Sequence, residues 1–402
     1  MVAFVPFRGS VIRPEFVRRV PAPAFDSMSG DQRREYLATH PESYTLVTRS
    51  PGDGGPHDDA DLSGLIELGF EALERICGLG AFEEYDEPTF FLYRLTGNGH
   101  VQLGVVGLVE TAAYIDGRVK RHEKVRSSRA EHLSNHFERL GVQSSPIALG
   151  YRADPVVRAT LDDILSRTEP ILSFTSGDGL EQAVWVVSGA NDCDALTAGL
   201  APHDLYIMDG HHRAAAAGKL AERTNSASAS QMLCVLFSDD RVNIDSFHRR
   251  VRVREGADFA VLRSALNAVL DMQPCAEMAT ELPAEPGQVG ICIEGEWFCG
   301  TLPEPRSDSP LDAIDPVRLQ QRVIGEVMGI DPEHAAGRMK YFVDSDNRVA
   351  LAESARGSEV LFVLRPVTPA EVFAVADAGL DMPPKSTYVT PKPRSGVFLR
   401  RL

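Results

Sequence analysis

Five consecutive residues, Asp209-Gly210-His211-His212-Arg213, constrain this chain more than any other stretch. An apolar run, Leu205-Tyr206-Ile207-Met208, precedes them and reads as a short strand. Ala214 to Leu220 follows and reads as the opening of a helix. The chain must therefore turn from strand to helix within two residues. Gly210 suits that turn, because glycine accepts backbone angles closed to other residues and lets a ligand come close. The first amides of a helix have no partner inside it, and the helix dipole adds positive charge there. Arg213 offers a planar fork of donors that matches phosphate oxygens. The junction thus reads as an anion site, with Gly210, His211, His212 and Arg213 as the candidate phosphate-binding residues. The same residues also suit a solvent-exposed polar turn.

The remaining templates for phosphate binding or hydrolysis are missing. The chain has no G-x-x-x-x-G-K-[ST] loop, no G-x-G-x-x-G fingerprint and no G-x-S-x-G elbow. If a nucleotide binds, the pentapeptide is the cradle that the sequence offers. The net charge of −16 opposes broad binding to nucleic acid, which needs clustered lysine and arginine against phosphates. No stretch approaches the roughly 20 apolar residues that cross a bilayer, and no secretory signal is visible, so a soluble cytoplasmic protein is expected. The six cysteines, at 77, 193, 234, 275, 292 and 299, form no C-x-x-C pair, which argues against a zinc ribbon. Cys292 and Cys299 flank an apparent strand pair, and in a reducing cytosol they are expected to stay thiols.

Period and punctuation give the elements. Residues 1–30 are rich in proline and turns. Helices are expected from about Asp31, over Leu65 to Ile76, over Ser128 to Leu140, and from about Pro316 to Met328. Strands are expected at 90–95 and 101–109, around the hairpin signal Gly97-Asn98-Gly99, and at 148–151, 184–187, 205–208 and 232–237. A further hairpin is expected over 289–302. Residues 51–61 read as an acidic loop, and 273–290 as a boundary or surface loop. With 402 residues the chain suits more than one domain, and a division into 1–255 and 256–402 is expected.

A second polar cluster runs Arg121-His122-Glu123-Lys124, then Arg126, Arg129, Glu131 and His132. Glu123 stands after a strand-like segment and before a helix, where a carboxylate can act as general base if its surroundings tune it. A solvated turn of mixed charge is the plainer reading. His132 and His136 are four apart on one helical face, yet the intervening residues lack the glutamate of H-E-x-x-H, so two polar-face histidines are expected. His211 and His212 are adjacent and diverge, which does not suit one shared ion.

Taken together, Pro6-Phe7-Arg8-Gly9, Phe25-Asp26, His122-Glu123, the pentapeptide, His248-Arg249, Pro383-Pro384-Lys385-Ser386-Thr387-Tyr388, Pro391-Lys392-Pro393 and Ser395-Gly396 resemble the domain-of-unknown-function family 1015, a relative of the ParB/sulfiredoxin-like proteins. The resemblance departs at Phe25, where the family usually has tyrosine, and at Val389-Thr390, in place of a more aromatic pair. It implies a mixed α/β (α+β) fold with a ParB/sulfiredoxin-like core, additional strands and a C-terminal segment. The free serine kinases of the wider superfamily are similar at two places, a His-Glu segment ahead of a helix and an Asp-Gly-x-His-Arg segment at a helix start. By that similarity Glu123 is the base that activates a hydroxyl, and His122 lines the substrate. Gly210, His211, His212 and Arg213 would hold nucleotide phosphates, with Asp209 catalytic and a ligand of magnesium. Sulfiredoxins place a cysteine where this chain has His211, so sulfinic-acid repair is not expected. The implied reaction is phosphoryl transfer from ATP or ADP, with Mg2+, to a small hydroxyl-bearing substrate such as free serine. A nucleotide-binding regulator without phosphoryl transfer is the alternative. Lys385 and Lys392 sit among prolines and read equally well as parts of a fixed loop.

Overall fold

A computed structural model describes residues 2–24, 28–49, 61–97, 99–254, 256–330, 337–343, 348, 351–352 and 358–402. Phe25 and Asp26, residues 51–60 of the acidic loop and Asn98 of the hairpin signal lie outside the described residues. The chain folds as mixed α/β, in two compact units. The first comprises Met1–Asn243 together with Pro391–Leu402, and the second comprises Ile244–Thr390. Among the described residues no helix is long and apolar enough to cross a membrane.

The first unit is built on a nine-stranded sheet. Its strands are β1 (Phe4–Val5), β2 (Phe90–Gly97), β3 (His100–Glu110), β4 (Val119–Lys120), β5 (Ile147–Tyr151), β6 (Leu172–Thr175), β7 (Glu181–Val187), β8 (Leu205–Asp209) and β9 (Gln231–Ser238). Their order is β4-β8-β5-β9-β3-β2-β7-β6, and β1 also pairs with β3. Two neighbouring pairs are parallel, β4 with β8 and β5 with β9, and the others are antiparallel. β3 and β9 are central, so they are apolar nearly throughout rather than alternating.

Five helices matter to the argument. They are α1 (Leu62–Gly78), α2 (Ser127–Leu140), α3 (Pro155–Arg167), α4 (Ala190–Leu200) and α5 (His211–Thr224). α3 buries Val157, Leu161 and Ile164 in the sheet core, and α4 buries Cys193, Leu196 and Leu200 there. α5 joins that core through Ala214 and Ala217, while its whole run from Ala214 to Gly218 is buried. Tyr114 and Ile115 pack against this helix at Gly218. The last residues of the chain close the first unit. Phe398–Arg401 pairs with Ser10–Ile12 and with Val142–Gln143, and the Phe398 ring packs against Phe91 and Tyr93.

The second unit carries a six-stranded antiparallel sheet of β10 (Phe247–Arg252), β11 (Gln273–Pro274), β12 (Gln288–Ile293), β13 (Glu296–Thr301), β14 (Met339–Val343) and β15 (Glu359–Val363). The order is β11-β13-β12-β15-β10-β14. The expected hairpin over 289–302 is β12 and β13. The stretch read as a surface loop holds β11 and a 3-10 turn, Ala276–Ala279. β11 brings Cys275 beside β13, with a Cα–Cα separation of 5.4 Å from Cys299, and the two form a disulfide. The expectation that Cys299 stays a thiol is therefore corrected. Cys292 faces Trp297 across the ladder, two residues from Cys299, and is not part of the disulfide. The helix expected at 316–328 is broken into Pro310–Ala313, Asp315–Arg318 and a π-helical stretch, Leu319–Gly325. Pro316 has no amide to donate, which suits a helix start, and the Glu326 amide reaches Gln321 five residues back.

Because Phe398 is fully buried between two aromatic rings, Phe398→Ala is expected to cost about 3–5 kcal/mol in the unfolding free energy, read from urea titration. A cost under ~1 kcal/mol would mean that the C-terminal strand is not integral to the first unit.

Candidate functional site

β8 ends in a register shift. Tyr206 and Ile207 pair with Gly150 and Leu149, and Asp209 then pairs with Ala148, so Met208 is an extra residue. Such a bulge re-aims the side chain that follows it. Gly210 sits at φ +99, in the left-handed region, and a Cβ there would lie 3.0 Å from the Arg213 guanidinium. Glycine is therefore required both by conformation and by space. α5 starts immediately afterwards, and no side chain caps its N-terminus.

The carboxylate of Asp209 is held between two cations. Arg213 bonds Oδ2, one helical turn on, and Lys392 Nζ donates to Oδ1 at 3.0 Å. Burial by itself would raise the Asp209 pKa, but the charges of Lys392 and Arg213 overcome it and hold the carboxyl far below the usual range. Arg213 also donates through Nη1 to the carbonyls of Ser145 (2.9 Å) and Pro146 (2.5 Å), the residues that lead into β5. Its Nη atoms are thus engaged by Asp209 and by the Ser145 and Pro146 carbonyls, whereas phosphate oxygens were the expected partners. Arg213 welds α5 to the loop before β5.

Glu123 and the histidines meet at the same corner. Glu123 Oε2 lies 3.6 Å from Nδ1 of His211, and the Glu123 side chain is 47% exposed. The His122 amide approaches His211 Nε2 at 3.5 Å, so that nitrogen accepts and the ring proton resides on Nδ1, toward Glu123. The His122 and His211 rings meet edge to face, 4.6 Å apart. Both are buried, and burial pushes the His122 pKa down to about 4 and His211 well below its ordinary value. Glu123 therefore faces a neutral imidazole that orients it, not an imidazolium. His122 was expected to line the substrate, but it is only 2% exposed and stands behind His211. His212 turns the other way and accepts from the Arg126 amide at 3.2 Å. Burial, then the charges of Arg129 and Arg126, keep its pKa low.

That Arg126 contact brings a second helix start to the corner. α2 begins at Ser127 and, like α5, has no side-chain cap. The two helices run parallel, tied by Lys219 and Arg223 to Glu131 and by Arg223 to Glu138. Two positive helix ends consequently converge beside Glu123, with Arg126 and Arg129 near them. His136 is not on a polar face. Its Nε2–H donates to the Val47 carbonyl at 2.8 Å, which fixes α2 to the segment before α1.

The donor set does not fit magnesium. Both Asp209 oxygens are engaged by cations, and among the described residues no group of three or more His, Cys, Asp or Glu side chains is placed to hold a metal. The amides of the first turn of α5 and the conformation of Gly210 do suit phosphate oxygens. Sequence reasoning left Lys392 aside. The signal present was its setting between Pro391 and Pro393, which fixes the lysine's backbone. The missing information was that Gln102 Nε2 bonds the Pro391 carbonyl at 2.5 Å and so carries the segment to the sheet.

A family model described as a protein of unknown function (DUF1015) matches residues 4–320. No curated protein matches the chain. Among solved structures, a mutant free serine kinase in complex with ADP aligns at 14% identity and a TM-score of 0.36, over 72% of this chain and 90% of its own. SbnI with a C-terminal truncation, from Staphylococcus aureus, aligns at 12% identity and 0.34, over 71% and 84%. A conserved hypothetical protein from Pyrococcus furiosus aligns at 13% and 0.34, over 71% and 92%.

The neutral, buried state of His122 has a pH consequence. The unfolded chain takes up this proton near pH 6.5, whereas the folded chain takes it up only near pH 4. Between those values the unfolded state binds more protons, so stability falls as pH falls. Urea unfolding at pH 7 and pH 5 is expected to show a smaller acid loss in His122→Asn than in wild type. Equal losses would show that His122 titrates normally.

Proposed function

The chain belongs to the DUF1015 family of proteins of unknown function, and from that premise we propose that it transfers a phosphoryl group from a nucleotide to the hydroxyl of a small molecule. One observation carries the reading. A half-exposed carboxylate, Glu123, stands beside the uncapped amides of two parallel helices, α2 and α5. Phosphoryl transfer asks a protein chiefly for positioning and for charge stabilisation, and this corner offers a base and a positive field together. ATP or ADP would supply the phosphoryl group, with its phosphates on the first-turn amides of His211, His212 and Arg213 and against Gly210.

Each residue then has a role that follows from its contacts. Glu123 accepts the hydroxyl proton of the acceptor, and the Nδ1–H of His211 aims it. His122 backs His211 and keeps its tautomer. Asp209 is neutralised by Lys392 and Arg213, so it does not repel incoming phosphate. Arg126 and Arg129 add positive charge at the rim. Free serine is the first acceptor to test, because the sequence resembles the free serine kinases at His122-Glu123 and at the pentapeptide. Nucleotide binding without transfer is the second reading, and the engagement of both Asp209 oxygens favours it.

Nucleotide turnover with a panel of hydroxy amino acids separates these readings. Glu123→Gln keeps the size of the side chain and removes its basicity, so turnover is expected to fall by about 10²–10⁴-fold with little change in nucleotide affinity. Equal rates in wild type and Glu123→Gln would remove Glu123 from the chemistry. Binding with no turnover on any acceptor would leave the regulator reading.

A further inference from the structure

Alternate residues of β10 project from one face of the second unit's sheet, and Phe247, Arg249 and Val251 share that face. Arg249 is completely buried. Its Nη1 donates to the Phe247 carbonyl at 2.9 Å, and Nη2 reaches the Lys385 carbonyl at 3.5 Å. Tyr341, its partner on β14, has its ring centroid 5.6 Å from the guanidinium carbon. Among the described residues Nε has no hydrogen-bond partner. No described aspartate or glutamate pairs with Arg249, and burial depresses its pKa to about 10 against the charge of Tyr341 alone.

Three other buried arginines meet carboxylates, while Arg400, also without a described one, spends both Nη atoms on Gln143 and on the Ser228 and Gln231 carbonyls. Arg318 and Arg365 both meet Asp315, Arg365 also meets Glu371, and Arg394 meets Asp178. Buried charges are as a rule paired, because an isolated ion loses its hydration without return. Arg249 lacks an anion and keeps the Nε–Nη2 edge, the edge that grips two oxygens side by side, largely unused.

A second cation faces the same place. Lys385 Nζ lies 5.3 Å from the centroid of the Phe247 ring, on the face that Arg249 shares, and Lys385 is exposed. Its backbone is in the left-handed region at φ +60, an uncommon state for a residue with a side chain. That conformation holds the Lys385 carbonyl toward Arg249 and is fixed from behind by Ser386, whose hydroxyl donates to the Pro383 carbonyl at 2.7 Å. The two segments that meet here, His248-Arg249 and Pro383 to Tyr388, have no part in the corner around Glu123 as described above.

We propose that Arg249 and Lys385 form a receptor for a phosphate-type oxyanion within the second unit, Arg249 gripping two oxygens and Lys385 supplying charge at the rim. Two cations without a described carboxylate match a dianion better than a monocarboxylate. Tyr341 is half-buried and lies against the Arg249 guanidinium. The inference does not rest on phosphoryl transfer at Glu123.

The test uses the full chain with inorganic phosphate and, separately, ADP, which distinguishes a free phosphate from one carried on a nucleotide. Ligand-dependent thermal shifts and calorimetry are measured for wild type, Arg249→Met and Lys385→Met. Lys385→Met is a surface change that leaves the fold intact. It is expected to weaken binding of one or both anions about tenfold, and Arg249→Met to abolish that binding while melting no lower than wild type in anion-free buffer. Absence of any anion response in wild type, or an unchanged response in Lys385→Met, overturns the proposal, including the case in which Arg249→Met fails to fold.

Discussion

The clasp on Asp209 is the interaction on which the site depends. A carboxylate at the end of an inner strand is costly to bury alone, and here Arg213 and Lys392 take one oxygen each. The clasp joins three parts of the first unit that are far apart in sequence: the end of β8, the loop before β5 through the other donors of Arg213, and the returning C-terminal segment through Lys392. It also determines what the first turn of α5 presents. With the Arg213 fork bonded within the protein, the first turn of α5 offers backbone amides that no side chain caps. Anion recognition by amides needs no side-chain ordering, which is the advantage of a helix start over a loose cluster of lysines.

Neutral imidazoles form the second layer of the same design. A charged His211 would satisfy Glu123 as an ion pair and reduce its basicity. Burial prevents this, and His211, backed by the His122 ring, stands beside Glu123 as a neutral imidazole. The positive charge of the corner resides in helix ends and in Arg126 and Arg129, all of which can face a ligand. Charge for binding is thereby kept apart from the group proposed to move a proton.

Much of this was legible in the amino-acid sequence. The strands at 90–95, 101–109, 148–151, 184–187, 205–208 and 232–237 stand where apolar runs placed them, since central strands need continuous apolar residues. The helix from Ser127 to Leu140 follows its 3.6 period. The strand–Gly210–helix junction was readable because only glycine fits it, and the structure brings Glu123, His122, His211, His212, Arg213 and Asp209 to one corner. Side-chain direction was not readable. Whether Arg213 points out or in depends on the Ser145 and Pro146 carbonyls, 68 and 67 residues away. The burial of His122 depends on His211, and the role of Lys392 on a pairing with Asp209 across 183 residues. The Cys275–Cys299 bond escaped for a related reason: β11 has two residues and carries no periodic signal. Local pattern reports local structure, and each of these features is a long-range contact.

The central claim is that the first-turn amides of α5 receive a nucleotide's phosphates beside Glu123. Amide NMR of the labelled protein during ADP titration tests it most directly. The account predicts that the His211, His212 and Arg213 amides shift and gain protection from exchange together, with one affinity. If ADP binds and those three amides stay unchanged while others move, the cradle lies elsewhere and the account is contradicted.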